Sequence, residues 1–145
     1  MADKKTFDEY FQDYEVRSEF SREFVALWPS WLGQAKLHLL DEVSEEEWSR
    51  FNSWVEAISR EFRLGIANYS SGTVEFPNAI EPHLSDYEVS RKKDASQFSK
   101  FVIPDLNCVV TEEWDYTYII WHKNDGAVEA LRPYVLNSKL HHFSD

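Results

Sequence analysis

The stretch Glu112-Glu113-Trp114-Asp115-Tyr116-Thr117-Tyr118-Ile119-Ile120-Trp121-His122-Lys123 alternates large rings with short or polar residues behind a pair of acids. Successive side chains of a strand point to opposite faces. The segment therefore reads as one long β-strand, with Trp114, Tyr116, Tyr118 and Ile120 on one face and Asp115, Thr117, Ile119 and Trp121 on the other. The first face suits a layer of helices. The second is mixed, as in a sheet covered at one end and open at the other.

Working outward, Asn124-Asp125-Gly126 should end that strand, and a short helix over about 126–140 should follow, restarting at Pro133, with Val128, Leu131 and Leu136 inward. Upstream, Phe98–Ile103 and Leu106–Thr111 read as strands joined across Pro104-Asp105. Ile66–Tyr69 and Thr73–Phe76 flank Ser70-Ser71-Gly72 as a hairpin. Tyr87–Val89 is a further short strand candidate, and Pro77 and Pro82 predict irregular chain over 77–85.

Before Gly65 the period is helical. Ser44-Glu45-Glu46-Glu47 supplies both halves of a capping box and places acids at the positive end of a helix dipole. Trp48, Phe51, Val55, Ile58 and Phe62 then share one face of a helix running from about Glu45 to Leu64, with Arg63 and Gly65 as stop signals. Thr6-Phe7-Asp8-Glu9 reads as a second capping box, ahead of Phe7, Tyr10, Phe11 and Tyr14 at helical spacing. Phe20, Phe24, Leu27, Trp28 and Trp31 suggest another helix from Ser18 or Ser21, kinked at Pro29, and 32–40 a short helical piece. The expected architecture is a single α+β domain over 1–145. Its helical part spans about 6–64, its sheet part about 66–123 and its C-terminal helix about 126–140. The N-terminal helices lie on one face of an antiparallel sheet of about four to six strands.

Charge bounds the function. Twenty-six acids against fifteen bases give a formal net charge of −11. A phosphate backbone and an anionic bilayer both need a cationic face, so neither nucleic acid nor membrane is an expected partner. A field of this sign favours a basic protein surface. Aromatics are 16% of the chain, with six Trp, and should mostly fill the core; those left outside it would suit a contact surface, since Trp and Tyr are the residues that anchor interfaces. Cys108 is the single cysteine, so no disulfide framework is possible within the chain. Met1-Ala2-Asp3-Lys4-Lys5 has no apolar stretch behind it, and no run approaches the length of a membrane span. A cytoplasmic location is the expectation.

Catalytic patterns are not apparent. His38, His83, His122, His141 and His142 match no zinc spacing, so no metal is expected. Cys108, mid-strand, reads as a small buried hydrophobe rather than a nucleophile. Four glycines form neither a dinucleotide fingerprint nor a phosphate loop, and no cofactor is expected. Arg91-Lys92-Lys93 reads as a solvated basic loop.

Three functional readings follow. The first is a small acidic protein-binding module, of the immunity or inhibitor type, acting as a monomer or weak homodimer. It would neutralise a basic partner through Glu112, Glu113, Trp114, Asp115, Thr117 and Trp121. The second is a small enzyme or ligand-binding domain whose aromatic pocket is built from Trp31, Tyr118 and Trp121, with His122 as acid or base. The third, an acidic mimic of DNA, is weakened by Arg50, Arg60 and Arg63 among the acids of the 45–64 helix.

Overall fold

A computed structural model describes residues 2–84, 86–92, 98–113 and 115–144. Among them the chain runs β1 (Ala2–Asp3), α1 (Lys4–Tyr10), β2 (Phe11–Gln12), β3 (Glu15–Val16), β4 (Ser21–Ala26), a 3-10 segment (Gln34–Glu42), α2 (Glu45–Glu61), β5 (Gly65–Asn68), β6 (Thr73–Glu75), α3 (Tyr87–Arg91), β7 (Lys100–Ile103), β8 (Cys108–Glu112), β9 (Thr117–His122), α4 (Asp125–Asn137) and β10 (His141–Phe143). Eight strands make one sheet in the order β1-β6-β5-β7-β8-β9-β4-β10, while β2 and β3 pair separately. Every pairing is antiparallel. The α+β class is as expected. The strand count exceeds four to six because β1 and β10, at the sheet's edges, are too short to carry an alternation, and because β4 lies in a segment whose spacing reads as helical. Among the described residues no helix is long and apolar enough to cross a membrane.

The segment expected to be one strand is a hairpin corner. β8 ends at Glu112, and the chain turns before β9 begins at Thr117. Tyr116 takes a left-handed φ of 57°, and the Glu113 N–H donates to Thr117 O at 2.8 Å. The turn has no Gly, Pro or Asn to announce it, and its rings keep the period of the strand beyond. Trp114 lies outside the described residues. Within β9 the expected division of faces holds: Tyr118 and Ile120 join the helix-side core, and Trp121 packs on the other side.

α2 and α4 cover the first face. Ser44 and Glu47 form the capping box, and Phe51, Trp54, Val55 and Ile58 are buried. Tyr118 is clamped by Phe51, stacked at 4.8 Å, and by Trp54, edge-on at 5.8 Å. Each such ring contributes ~1.5–3 kcal/mol by leaving water. α4 buries Ala127, Val128, Leu131 and Val135 and runs through Pro133 without restarting; Leu136 points out and is exposed. α2 stops at Glu61, earlier than expected, and Gly65 serves the sheet rather than the helix. A Cβ on Gly65 would come within 2.4 Å of Val74 Cγ1 and 2.8 Å of Phe76 Cε1.

Three other expectations are corrected. The helix expected over Ser18/Ser21 to Trp31 is β4, which lies between β9 and β10 and has Phe24 and Val25 buried on opposite faces. A strand buried on both sides loses its alternation and cannot be told from a helix by period alone. Tyr87–Val89 is not a strand but the start of α3, capped by Asp86. α1 begins three residues early: Asp3, not Thr6, is the cap, accepting from Thr6 N at 3.1 Å and Thr6 Oγ1 at 2.6 Å. α1 also packs on the face opposite α2. With the β2–β3 ribbon it lays Phe7, Tyr10, Phe11, Val16 and Phe20 over Val74, Val102 and Val109. The sheet is thus covered on one face by α2 and α4, and on the other only in part by the N-terminal segment.

Candidate functional site

The part of the second face that the N-terminal segment leaves uncovered is a groove. Part of it is a cleft of about 890 Å³ with Lys100, Thr111 and Trp121 of three adjacent strands in its lining. Glu15 and Val16 of the ribbon line it, as do Tyr69 and Ser70 of the β5–β6 turn, and Glu113 stands where β8 has just ended. Strand alternation explains the grouping. Thr111 pairs with Ile119 and Lys100 with Thr111, so these side chains share a face, two residues along from Trp121 opposite Val109.

Glu113 is held rather than waving. The Trp121 indole N–H donates to Thr111 Oγ1 at 2.9 Å, and the Thr111 hydroxyl donates to Glu113 Oε2 at 3.1 Å. Burial pushes the Glu113 carboxyl above its ordinary range; Thr111 counters this, and the negative charge of Asp115 adds to it. Lys100 lies over the Tyr69 ring, 4.7 Å from its centre, and donates to Phe98 O at 3.1 Å. Burial lowers its pKa against the pull of Glu112 and Glu113. The Tyr69 phenol is pushed up to about 12, by burial first and then by Glu113 and Glu15. Three neighbouring groups are thus each biased toward the neutral form by burial, as expected in a partly dry cleft.

No protein-family model, curated protein or solved structure matches this chain.

The residues singled out from the sequence are divided by the fold. Glu113 and Trp121 meet in the cleft through Thr111. Asp115 and Thr117 lie further along the groove, beside Trp31. Glu112 is buried; it accepts from the Ser90 hydroxyl and from Ser99 N, the latter at 2.9 Å, and so ties α3 and the start of β7 to β8. The four residues nominated for an aromatic pocket do not converge. Trp31 packs edge-on against Phe24 and Phe143, Tyr118 is enclosed beneath α2, and Trp121 lies on the opposite face from Tyr118. His122 is buried with Nδ1 3.0 Å from Asn124 O, which fixes the hydrogen on Nδ1.

Of the remaining candidates, Cys108 is fully buried and burial pushes its thiol up to about 12, which leaves it without a thiolate near neutrality. His141 and His142 lie in β10, and His142 Nε2 is 2.9 Å from Glu23 Oε2. Among the described residues no three His, Cys, Asp or Glu are arranged to hold a metal. Of the basic run, Arg91 pairs with Glu88 at 3.0 Å, and Lys93 lies outside the described residues. Sequence reasoning missed Glu15, Tyr69, Lys100 and Thr111. Lys100 did carry a signal: it is the one charge in an otherwise apolar strand.

Proposed function

We propose that this chain is a small acidic protein-binding module of the immunity or inhibitor type, which neutralises a basic partner by receiving one of its Arg or Lys side chains in the groove at Glu113. The observation that carries this reading is a carboxylate half-buried and oriented by Thr111, with Asp115 and Glu112 as negative neighbours against the single positive charge of Lys100, and Tyr69 and Trp121 beside it. An incoming guanidinium would restore the charge that burial opposes, through charge-assisted hydrogen bonds, and would lie against aromatic faces. The net charge of −11 would speed the encounter.

The test begins with a partner captured at low salt from the cells that make the protein. Its association with wild type and with Glu113→Gln is then followed by stopped-flow fluorescence over a range of salt concentrations. The reading expects a basic partner, an association rate that falls steeply with salt, and dissociation from Glu113→Gln on the order of tenfold faster, the loss of about 1.4 kcal/mol. A neutral or acidic partner, or equal kinetics for the two proteins, rejects it. Glu112 is unsuited to such a test because its replacement would disturb the fold first.

A further inference from the structure

The two rings beside Glu113 already carry cations of this chain. Lys100 Nζ lies over Tyr69, 4.7 Å from the ring centre, and the Arg22 guanidinium lies over Trp121 at 5.9 Å and Phe24 at 5.6 Å. The two are held differently. Arg22 is exposed on β4. Lys100 is half-buried on β7, its ammonium donating to Phe98 O at 3.1 Å. Burial works against that charge, while Glu112 and Glu113 pull the other way. Lys100 also pairs in register with Thr111, the residue that orients Glu113, so its stem rises from the strand next to that carboxylate. Thr111 donates to Oε2 of Glu113, and among the described residues Oε1 accepts no hydrogen bond. A cation arriving between Glu113 and Tyr69 therefore finds one oxygen open and an ammonium already in place.

We infer that Lys100 is the cleft's resident cation and that docking is an exchange. An arginine of the partner displaces the Lys100 ammonium from the Tyr69 face and takes its place beside Glu113, which makes the site selective for arginine over lysine. This rests on the docking proposed above and names the side chain that docks. The chemistry of the two heads sets the direction of the exchange. An ammonium is a compact, strongly hydrated charge on a flexible stem, and on release from a half-buried position it recovers its water. A guanidinium is planar and more weakly hydrated, so it can lie on a ring and donate to a carboxylate with less solvation lost. A partner lysine would replace one ammonium by another and gain nothing from the exchange. Lys100 thus acts as a competitor that only the better-suited head overcomes.

The experiment is an NMR titration of the isotope-labelled full chain with methylguanidinium and, separately, methylammonium, with methylurea as the uncharged control. Wild type is compared with Lys100→Met, which keeps the apolar stem and removes the charge, and with Lys100→Gln as a second neutral variant in case methionine alters the packing. In free wild type the Lys100 ε-methylene signals should lie upfield, shifted by the Tyr69 ring. Methylguanidinium should return them to the ordinary lysine position as the Glu113 carboxyl signal moves, with one dissociation constant. It should bind wild type about tenfold more tightly than methylammonium does. Both cations should bind the neutral variants more tightly than wild type, and the preference between them should shrink. If the Glu113 signal moves while the Lys100 methylenes stay upfield, or if the two cations bind wild type equally, the exchange is overturned and docking at Glu113 stands. Weaker binding to both neutral variants also overturns it, since Lys100 would then support Glu113 rather than compete for it. If neither cation moves the Glu113 signal in wild type or in the variants, or if methylurea moves it as far, both readings fall.

Discussion

Glu113 is a residue whose charge the folded chain resists and whose position it nevertheless fixes, and the two facts together make a prediction. Its carboxyl has a higher pKa folded than unfolded, so the folded state holds that proton more tightly. The resulting stabilisation is complete below the unfolded carboxyl range and is lost as pH rises through the raised folded value. At neutral pH the ionised group is therefore a liability. Glu113→Gln, whose amide oxygen can still accept from Thr111, should raise the urea midpoint at pH 7, and the gain should vanish below about pH 4. A midpoint that is unchanged or lower at pH 7 would deny that the charge is strained. Replacing Glu112 should instead destabilise the fold, because the side chain is buried and accepts from both a hydroxyl and a backbone N–H. Glu112→Ala removes the acceptor that both of them use and should cost about 1–3 kcal/mol in urea unfolding. From the sequence these adjacent acids were indistinguishable. Alternation assigns them opposite faces, but only the fold decides which face is dry, which is why Glu112 looked like part of a patch. Tyr69, Lys100 and Thr111 went unseen for the related reason that only the sheet brings the β5–β6 turn beside the β7–β8 hairpin, which lies far along the chain.

At the scale of elements, legibility followed how local the determining interaction was. The α2 start was readable because Ser44 and Glu47 satisfy each other within four residues. Ser44→Ala should lower stability by about 1 kcal/mol, measured as a shift in urea midpoint at constant slope; no shift would mean that packing alone sets the helix start. The hairpins β5–β6 and β7–β8 were readable for the same reason, each pairing across a short turn. β4 was not, since its partners are β9 and β10, about a hundred residues away, and its burial on both faces removes the period that would have named it. The two caps flanking α1 and α4 illustrate a subtler loss. Asp3 caps α1 from outside the apolar pattern, and the chain leaves α4 through Lys139, just past the cap residue Ser138 and left-handed at φ 61° where glycine is the usual choice. Lys139 is exposed, so replacing it touches little besides backbone strain. Lys139→Gly should stabilise the protein by about 0.5–1 kcal/mol, the left-handed penalty less the entropy that glycine adds to the unfolded chain. A loss of stability would show that the lysine side chain contributes something its exposure does not reveal.

For the molecule as a whole, the excess of acids should act on the stability of the free protein and on the proposed docking in opposite senses. A net charge of −11 on 145 residues repels itself when the chain is compact and less so when it expands, so it lowers the stability of the isolated fold. The described ion pairs relieve little of this: Arg60 with Glu56, Arg91 with Glu88 and Arg132 with Glu129 are neighbours on single helices, each with a well-exposed guanidinium. Screening should therefore help folding. Raising salt from about 0.01 M to 0.15 M shortens the screening length from about 30 Å to 8 Å, less than the span of the sheet. The thermal midpoint of the free protein should rise by a few degrees over that range. The same screening shortens the reach of the field that would draw in the proposed basic partner, so under that proposal the association rate should fall by an order of magnitude or more over the same interval. The two responses must be measured on one preparation, by calorimetry and by stopped-flow. If the midpoint rises while association is unaffected, the acids repel one another but do not steer; if it falls, the surface charges are better paired than their sum implies. Opposite slopes are what a surface organised for docking requires, because a charge distribution selected for stability alone would have been neutralised.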